Sequence, residues 1–498
     1  MTPPHPAGRP PTLARHYFRY LNATIISIVI SFISYPITMR LLDERDLGLL
    51  GYFQVISLLW VGLAKMGAQH AILRFYPAWC LGERSDQERF YATLFFRPVV
   101  ISFALTALVL AGLTGAHRFR PIPHVSLIYV VVVLGQAQAL FSYFLNIAQA
   151  REESALVATL TVVQRFTRFV CVVMILLFIN RSAMGVFQAS LISFSFVLVY
   201  LAWWARRKLP WKRDAYDRRL FREGIGYGLP MAVNEITFIL LGQVDRIMLR
   251  HLLGSFRAVG VYYVGTSLAI NIGMIFGRTM VNSYTPVANR LYETEGAGAV
   301  AEMMRNVFRL DFYVLVSVSI GLYWVGADML VLLAGPEKAE SGIIFQWIGF
   351  HYTIMPLCEF GMIGLKLTRR SKTILATAMM GFLINLGLNW VMIPRIGVMG
   401  AVYATLIANL LLWLTQLRLI PHVLKPKLSV RDIRWPLLLG CVFFGICQLS
   451  GLFGVQAPAT RLAVCGAIFV VSFVVPAPVL DPYLRGLIHR KVLDRLKR

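Results

Sequence analysis

Residues 155–180 read ALVATLTVVQRFTRFVCVVMILLFIN. The run is too long for a strand, and as a helix rising 1.5 Å per residue it can cross the ~30 Å hydrocarbon core of a bilayer. Outward from it, thirteen comparable runs fall near 17–39, 48–72, 91–114, 125–149, 183–204, 226–250, 258–282, 309–334, 342–366, 373–393, 397–420, 434–454 and 459–480. Of the 498 residues, 57% are hydrophobic and 15% charged, against about 25% charged in soluble chains. A soluble domain is excluded. The longest links, near 205–225 and 283–308, leave no room for a folded domain outside the membrane. The expected fold class is an all-α polytopic membrane protein of about 14 transmembrane helices.

The charge balance is 49 Lys and Arg against 24 Asp and Glu, a net +25. In a soluble chain that would point to nucleic acid. Here the cations collect in the tails and in every second link, the pattern by which membrane proteins keep positive loops cytoplasmic. Residues 206–224 alone hold eight and 485–498 hold six. Both termini are therefore expected in the cytoplasm, with anionic membrane lipids rather than nucleic acid as partner. The start, MTPPHPAGRPPTLAR, is Pro-rich and lacks the apolar core and cleavage site of a signal peptide. The six cysteines form no CxxC spacing, and five lie in apolar runs, so they are read as small buried side chains with no metal site.

Two short patterns recur. Met184-Gly185-x-x-x-Ala189-Ser190-Leu191-Ile192 returns as Met399-Gly400-x-x-x-Ala404-Thr405-Leu406-Ile407, and Arg40, Tyr52 and Pro77 return as Arg250, Tyr262 and Pro286. Six spans separate the copies, so both halves enter the membrane in one direction, a parallel repeat. The expected organisation is a disordered cytoplasmic tail (1–16), a six-helix bundle (17–204), a basic cytoplasmic linker (205–225), a second six-helix bundle (226–420), two extra transmembrane helices (434–480) and a basic tail (481–498).

Cations inside spans are costly unless they face water or a partner, which makes each a candidate for function. Five stand out: Lys65, Arg97, Arg165, Arg168 and Arg246. Thr161, Arg165 and Arg168 are spaced i, i+4, i+7 and share a helix face. Forked guanidinium donors suit the oxygens of a diphosphate. The alternative is structural pairing with Glu152 or Glu153. Lys65 shares a stripe with Gln54 and Gln69, which fits a water-lined face; the alternative is snorkelling, the reading preferred for Arg97. Glu235, Gly242 and Arg246 share a face in span seven, with Glu235 and Arg246 too far apart along the helix to pair. Asp245 and Arg246 serve either as a gate or in an ion pair with a neighbouring helix. Glu359 shares a face with Tyr352. Glu235, Glu359 and Asp245 are candidate coupling carboxylates, because burial can tune a carboxyl to exchange protons. His70 and His351 are expected as hydrogen-bonded core histidines. Polar residues of span four (Gln138, Ser142, Asn146, Gln149) and span eleven (Asn385, Asn389) either bind sugar hydroxyls or join helices.

Tyr227-Gly-Leu-Pro230, then Gly242-Gln-Val-Asp245-Arg246-Ile-Met-Leu249, then Val259-Gly-Val-Tyr262 resembles a stretch of the polysaccharide-type flippases of the multidrug/oligosaccharidyl-lipid/polysaccharide exporter superfamily. Leu47-Gly48-Leu49 through Gly67 to Arg74-Phe75 agrees, as does Asn385-x-x-x-Asn389 through Ile393-Pro394, Gly397 and Gly400-Ala401 to Ala404-Thr405. The similarity covers about the first 420 residues. It implies two six-helix bundles that alternate access, and an undecaprenyl-diphosphate-linked oligosaccharide as substrate, carried across the bacterial inner membrane. Of the charged residues it carries over only the Asp245-Arg246 pair. In related flippases two extra C-terminal helices form a groove for the lipid tail; spans thirteen and fourteen match these in position alone.

The chain is expected to be a transporter and not an enzyme. No GxxxxGK[ST] phosphate loop is present, and no cofactor is implied. The expected docking set is Arg165, Arg168 and Lys65, with Arg246 as a further substrate contact, and a polysaccharide polymerase or other assembly protein as partner. Three rivals stand: a multidrug exporter of the same superfamily, whose pocket should centre on carboxylates that the N-terminal half lacks at mid-span; a membrane polymerase or ligase; and a scaffold in an assembly complex.

Overall fold

The computed structural model describes residues 13–80, 83–210, 212, 214–273, 279–451 and 457–486. Among these there are helices and no strands. The first eight helices are α1 (Leu13–Leu41), α2 (Glu44–Lys65), α3 (Ala68–Cys80), α4 (Arg84–Phe90), α5 (Arg97–Phe119), α6 (Val125–Ala150), α7 (Ser154–Phe178) and α8 (Ala183–Lys208). A π-helical turn, Tyr91–Phe96, joins α4 to α5. Then follow α9 (Arg218–Leu253), α10 (Phe256–Gly273), α11 (Thr279–Thr294), α12 (Ala297–Ala334), α13 (Ser341–Leu367), α14 (Ser371–Ile396) and α15 (Val398–Leu419). The chain closes with α16 (Val430–Gly451), α17 (Pro458–Phe469) and α18 (Ala477–Leu480). Twelve helical segments among the described residues are long and apolar enough to cross a membrane; α13 coincides with the expected run 342–366, and α10 covers residues 258–273 of the expected run 258–282.

Two expectations change. The run 48–72 is not one helix but breaks after Lys65. The link 283–308 is not a loop: α11 and the first turns of α12 fill it. Those segments are amphipathic, with Tyr284, Ala288, Val300 and Met304 buried in one cluster, so a search for runs apolar on all sides passes over them.

The chain packs as two compact units, one holding the residues through Leu42 together with Leu49–Val244, the other Asp43–Gly48 together with the residues from Asp245. In the first, α7 packs on α1 and α8, and α6 on α3, α5 and α8. In the second, α13 packs on α10, α12 and α15, and α14 on α15. The parallel repeat is visible in these pairings: α6 and α7 flank α8 as α13 and α14 flank α15. Its glycines have the same duty in both copies. A Cβ on Gly185 would stand 2.3 Å from the Asn180 carbonyl oxygen, and one on Gly400 would stand 2.6 Å from that of Met392. Each glycine lets its helix start tight against the chain that precedes it.

The last helices are fastened to α12, which contacts both α16 and α17. Tyr313, Leu439, Phe443, Cys465 and Phe473 form an apolar core there. Arg305 grips Asp432 with two hydrogen bonds of 2.9 and 3.0 Å. Arg309 reaches Asp481 at 3.2 Å, and Arg461 reaches Asp328 at 3.1 Å.

Candidate functional site

Met66 and Gly67 both take left-handed backbone angles, φ 47° and 75°, and this ends α2. Glycine bears that angle without steric cost. Here it also admits a second backbone: a Cβ on Gly67 would lie 1.9 Å from the carbonyl oxygen of Gly228 in α9. The break strands the last carbonyls of α2. Tyr143 of α6 takes up two of them, its hydroxyl donating to Lys65 O at 2.8 Å and Ala64 O at 3.3 Å.

With α2 and α3 so placed, three side chains converge on Glu235 of α9. Lys65 Nζ lies 2.6 Å from Oε1, Gln69 Nε2 donates to Oε2 at 2.7 Å, and His70 Nε2 stands 3.6 Å from Oε2. Lys65 is 6% exposed, and a buried ammonium is tolerable only when paired. The Glu235 side chain keeps 30% exposure, so the ion pair is open on the carboxylate side. Gln69 Oε1 and His70 Nε2 are buried without hydrogen-bond partners. The sequence assigned Lys65 to substrate and Glu235 to coupling; the structure joins them. Gln54, expected on the same stripe, is not among the partners of Glu235. His70, expected to be an ordinary core histidine, is the residue whose place here was missed. Its spacing of five from Lys65 gives no helical signal, because the helix is interrupted between them.

α9 reaches this cluster because small residues on both sides allow close approach. A Cβ on Gly62 would meet Ile236 at 3.0 Å, and one on Gly224 would meet Leu94 at 2.5 Å. Through Val244, α9 packs with the first unit. That compact unit therefore includes the Glu235 carboxylate.

Arg165 and Arg168 lie exposed on α7. Arg165 donates to Ser31 Oγ of α1 at 3.2 Å and Arg168 to Ser190 Oγ of α8 at 3.0 Å. Among the described residues Arg165 has no salt bridge. Glu153, the carboxylate considered for this pair, is held by Arg151 at 2.7 Å. In that link the burial of Arg151 opposes its charge, yet its hydrogen bonds to Glu153 and Tyr91 keep its pKa above the usual value. Glu152 is exposed.

In the second unit Asp245 is 2% exposed and surrounded by neutral donors. Asn389 Nδ2 donates to Oδ1 at 2.6 Å, while Tyr262 Oη and Thr405 Oγ1 each donate to Oδ2 at 2.7 Å. Asn385 accepts from Asn389 at 3.0 Å. Of the two readings for the asparagines of span eleven, the joining of helices is the contact observed. Arg246 is 4% exposed, and its guanidinium lies 4.9 Å from the ring centre of Tyr263. Glu359 is half-buried in α13.

Comparison with known proteins agrees with this architecture. The family described as polysaccharide biosynthesis protein matches residues 13–291. An uncharacterized membrane protein of Methanocaldococcus jannaschii is 21% identical over 266 residues, 48% of this chain; the chain spans about half (52%) of that relative's length. The lipid II flippase MurJ in an inward closed conformation superposes with TM-score 0.65 at 13% identity, covering 91% of this chain and 99% of that one. A multidrug resistance MATE family transporter of the MOP superfamily, inward-facing, gives TM-score 0.60 at 14% identity, covering 85% and 98%. A MOP superfamily transporter from Pyrococcus furiosus gives 0.53 at 13%, covering 81% and 94%.

Proposed function

Because the chain belongs to the polysaccharide biosynthesis protein family, we propose that it is a flippase for an undecaprenyl-diphosphate-linked oligosaccharide. It works by alternating access in the bacterial inner membrane, with both termini cytoplasmic, and performs no catalytic step. The observation that carries this reading is the pair Arg165 and Arg168, exposed on one face of α7 and touching serine hydroxyls. Guanidinium groups so placed offer bidentate donors to a diphosphate. Lys65 joins them by exchange. Its ammonium leaves Glu235 for a phosphate oxygen, and Glu235, then relying on Gln69 and His70, takes up the coupling proton. Arg246 is assigned a sugar or phosphate contact later in the cycle, and Glu359 is the alternative coupling group. A polymerase or another assembly protein receives the product.

The test is flipping of a fluorescent undecaprenyl-diphosphate sugar in proteoliposomes. Arg165→Ala with Arg168→Ala is expected to lower the rate at least about tenfold, some 1.4 kcal/mol of lost interaction. Unchanged flipping would remove the pair from the mechanism.

One observation favours a second reading, export of a cationic drug: Glu235 is a partly exposed carboxylate in the first unit. Its engagement by Lys65 at 2.6 Å leaves little net negative charge to attract a cation. Drug sensitivity of a deletion strain, complemented by the chain or by Glu235→Gln, separates the two.

A further inference from the structure

A cavity of about 800 Å³ opens in the first unit where α8 ends, and neither Glu235 nor any of its partners lines it. Arg84, Arg206, Arg207 and Lys208 line it, and Phe96 and Phe144 contribute an apolar surface. Phe96 is the last residue of the π-helical turn. Arg84 leans toward Glu88 at 3.5 Å; among the described residues Arg206, Arg207 and Lys208 have no salt bridge. A cavity with four cations at its wall and phenyl rings in its lining suits an amphiphilic anion.

The exposed face of α8 that meets the cavity at Arg206 and Arg207 says which one. Phe196, Val199, Tyr200 and Trp203 are 64%, 72%, 45% and 49% exposed. They follow i, i+3, i+4, i+7 spacing, one helix face, and the next turn of that face is Arg206 and Arg207. Along a single stripe the chemistry thus passes from aliphatic and aromatic, through a Tyr-Trp pair with ring centres 5.7 Å apart, to guanidinium. The guanidinium of Arg207 lies 4.3 Å from the Trp203 ring centre. Such a gradient matches one phospholipid: acyl chain on the apolar stripe, glycerol at the Tyr-Trp belt, phosphate at the cations. A soluble phosphate has no use for the stripe.

The geometry points to a bound anionic glycerophospholipid, its phosphate held by Arg84, Arg206, Arg207 and Lys208 and its chain lying along Phe196, Val199 and Trp203. The site is separate from substrate transport, and it accounts for cations at the end of α8 that topology alone does not require to share a cavity.

The experiment uses the full chain purified from nanodiscs of mixed phosphatidylethanolamine and phosphatidylglycerol, with retained lipid counted by native mass spectrometry. Arg206→Gln, Arg207→Gln and Lys208→Gln together are expected to cut retained phosphatidylglycerol about tenfold or more, with the detergent melting temperature unchanged. Lys366→Gln, Lys372→Gln and Lys427→Gln, which remove equal charge from the other unit, should leave retention intact. Equal loss in both triple variants would mean diffuse attraction to basic loops and would overturn the proposal. So would displacement of the lipid by inorganic phosphate at constant ionic strength, which would indicate a phosphate site. A third variant, Trp203→Ser with Val199→Ser, tests the chain-binding stripe: the site predicts weaker retention although no charge has changed, and full retention would also overturn it.

Discussion

Glu235 and Asp245 lie ten residues apart on α9 and are held in opposite ways. Glu235 keeps 30% of its side chain exposed and is bound by an ammonium, with an amide and an imidazole beside it. Asp245 is 2% exposed and bound by two hydroxyls and an amide. Neutral donors cannot leave with a competing anion. An ammonium can, because a phosphate offers it the same charge. The difference separates a fixture from a contact that can be exchanged, and residue type alone would have ranked the two carboxylates together.

The sharpest way to break this comparison is to remove the fixture. Asp245→Leu leaves the donors of Tyr262, Asn389 and Thr405 buried and unbonded, at about 1–3 kcal/mol each. Loss of folded protein, or a fall in detergent Tm equivalent to at least about 3 kcal/mol, is expected; a Tm close to that of the unaltered chain would show that Asp245 is not structural. Next is Gly67→Ala, which combines a left-handed φ with a Cβ 1.9 Å from Gly228 O. It should cost about 2 kcal/mol or more by thermal unfolding and slow flipping too, since it separates Lys65 from Glu235. A smaller effect is expected for the exchangeable pair. A double-mutant cycle of Lys65→Met and Glu235→Gln should give a coupling near 2 kcal/mol in stability that shrinks when substrate is present. A coupling that substrate leaves untouched would make the pair a second fixture. Smallest is Tyr143→Phe, which frees the Lys65 carbonyl and should lower stability by about 1 kcal/mol; no change would mean that water replaces the hydroxyl.

The sequence made the membrane spans legible because hydrophobicity over about twenty residues is a local property. The repeat was legible for a related reason: Gly185 and Gly400 meet the same steric demand, so the same residue recurs. The break after Lys65 was not, since a glycine within an apolar run has no distinct signal until Gly228 is packed on it. Helical periodicity placed Arg165 and Arg168 on one face, which holds for a continuous helix. It could not join Lys65 to Glu235, 170 residues away, because a wheel describes one helix and the partner is chosen by packing between helices. For the same reason Asn385 and Asn389 stood open between sugar binding and helix joining until Asp245 was found between Tyr262 and Asn389.

The clamp between α12 and the last helices has a practical side. A chain cut before Val430 would keep Arg305 and Arg309 but lose Asp432 and Asp481, and it would uncover Tyr313 from the apolar core it shares with Phe443 and Phe473. Such a truncation would present two unneutralised guanidiniums beside a bare aromatic patch, a surface prone to aggregate. A shortened version made to isolate the portion before α16 is therefore a poor proxy for the parent.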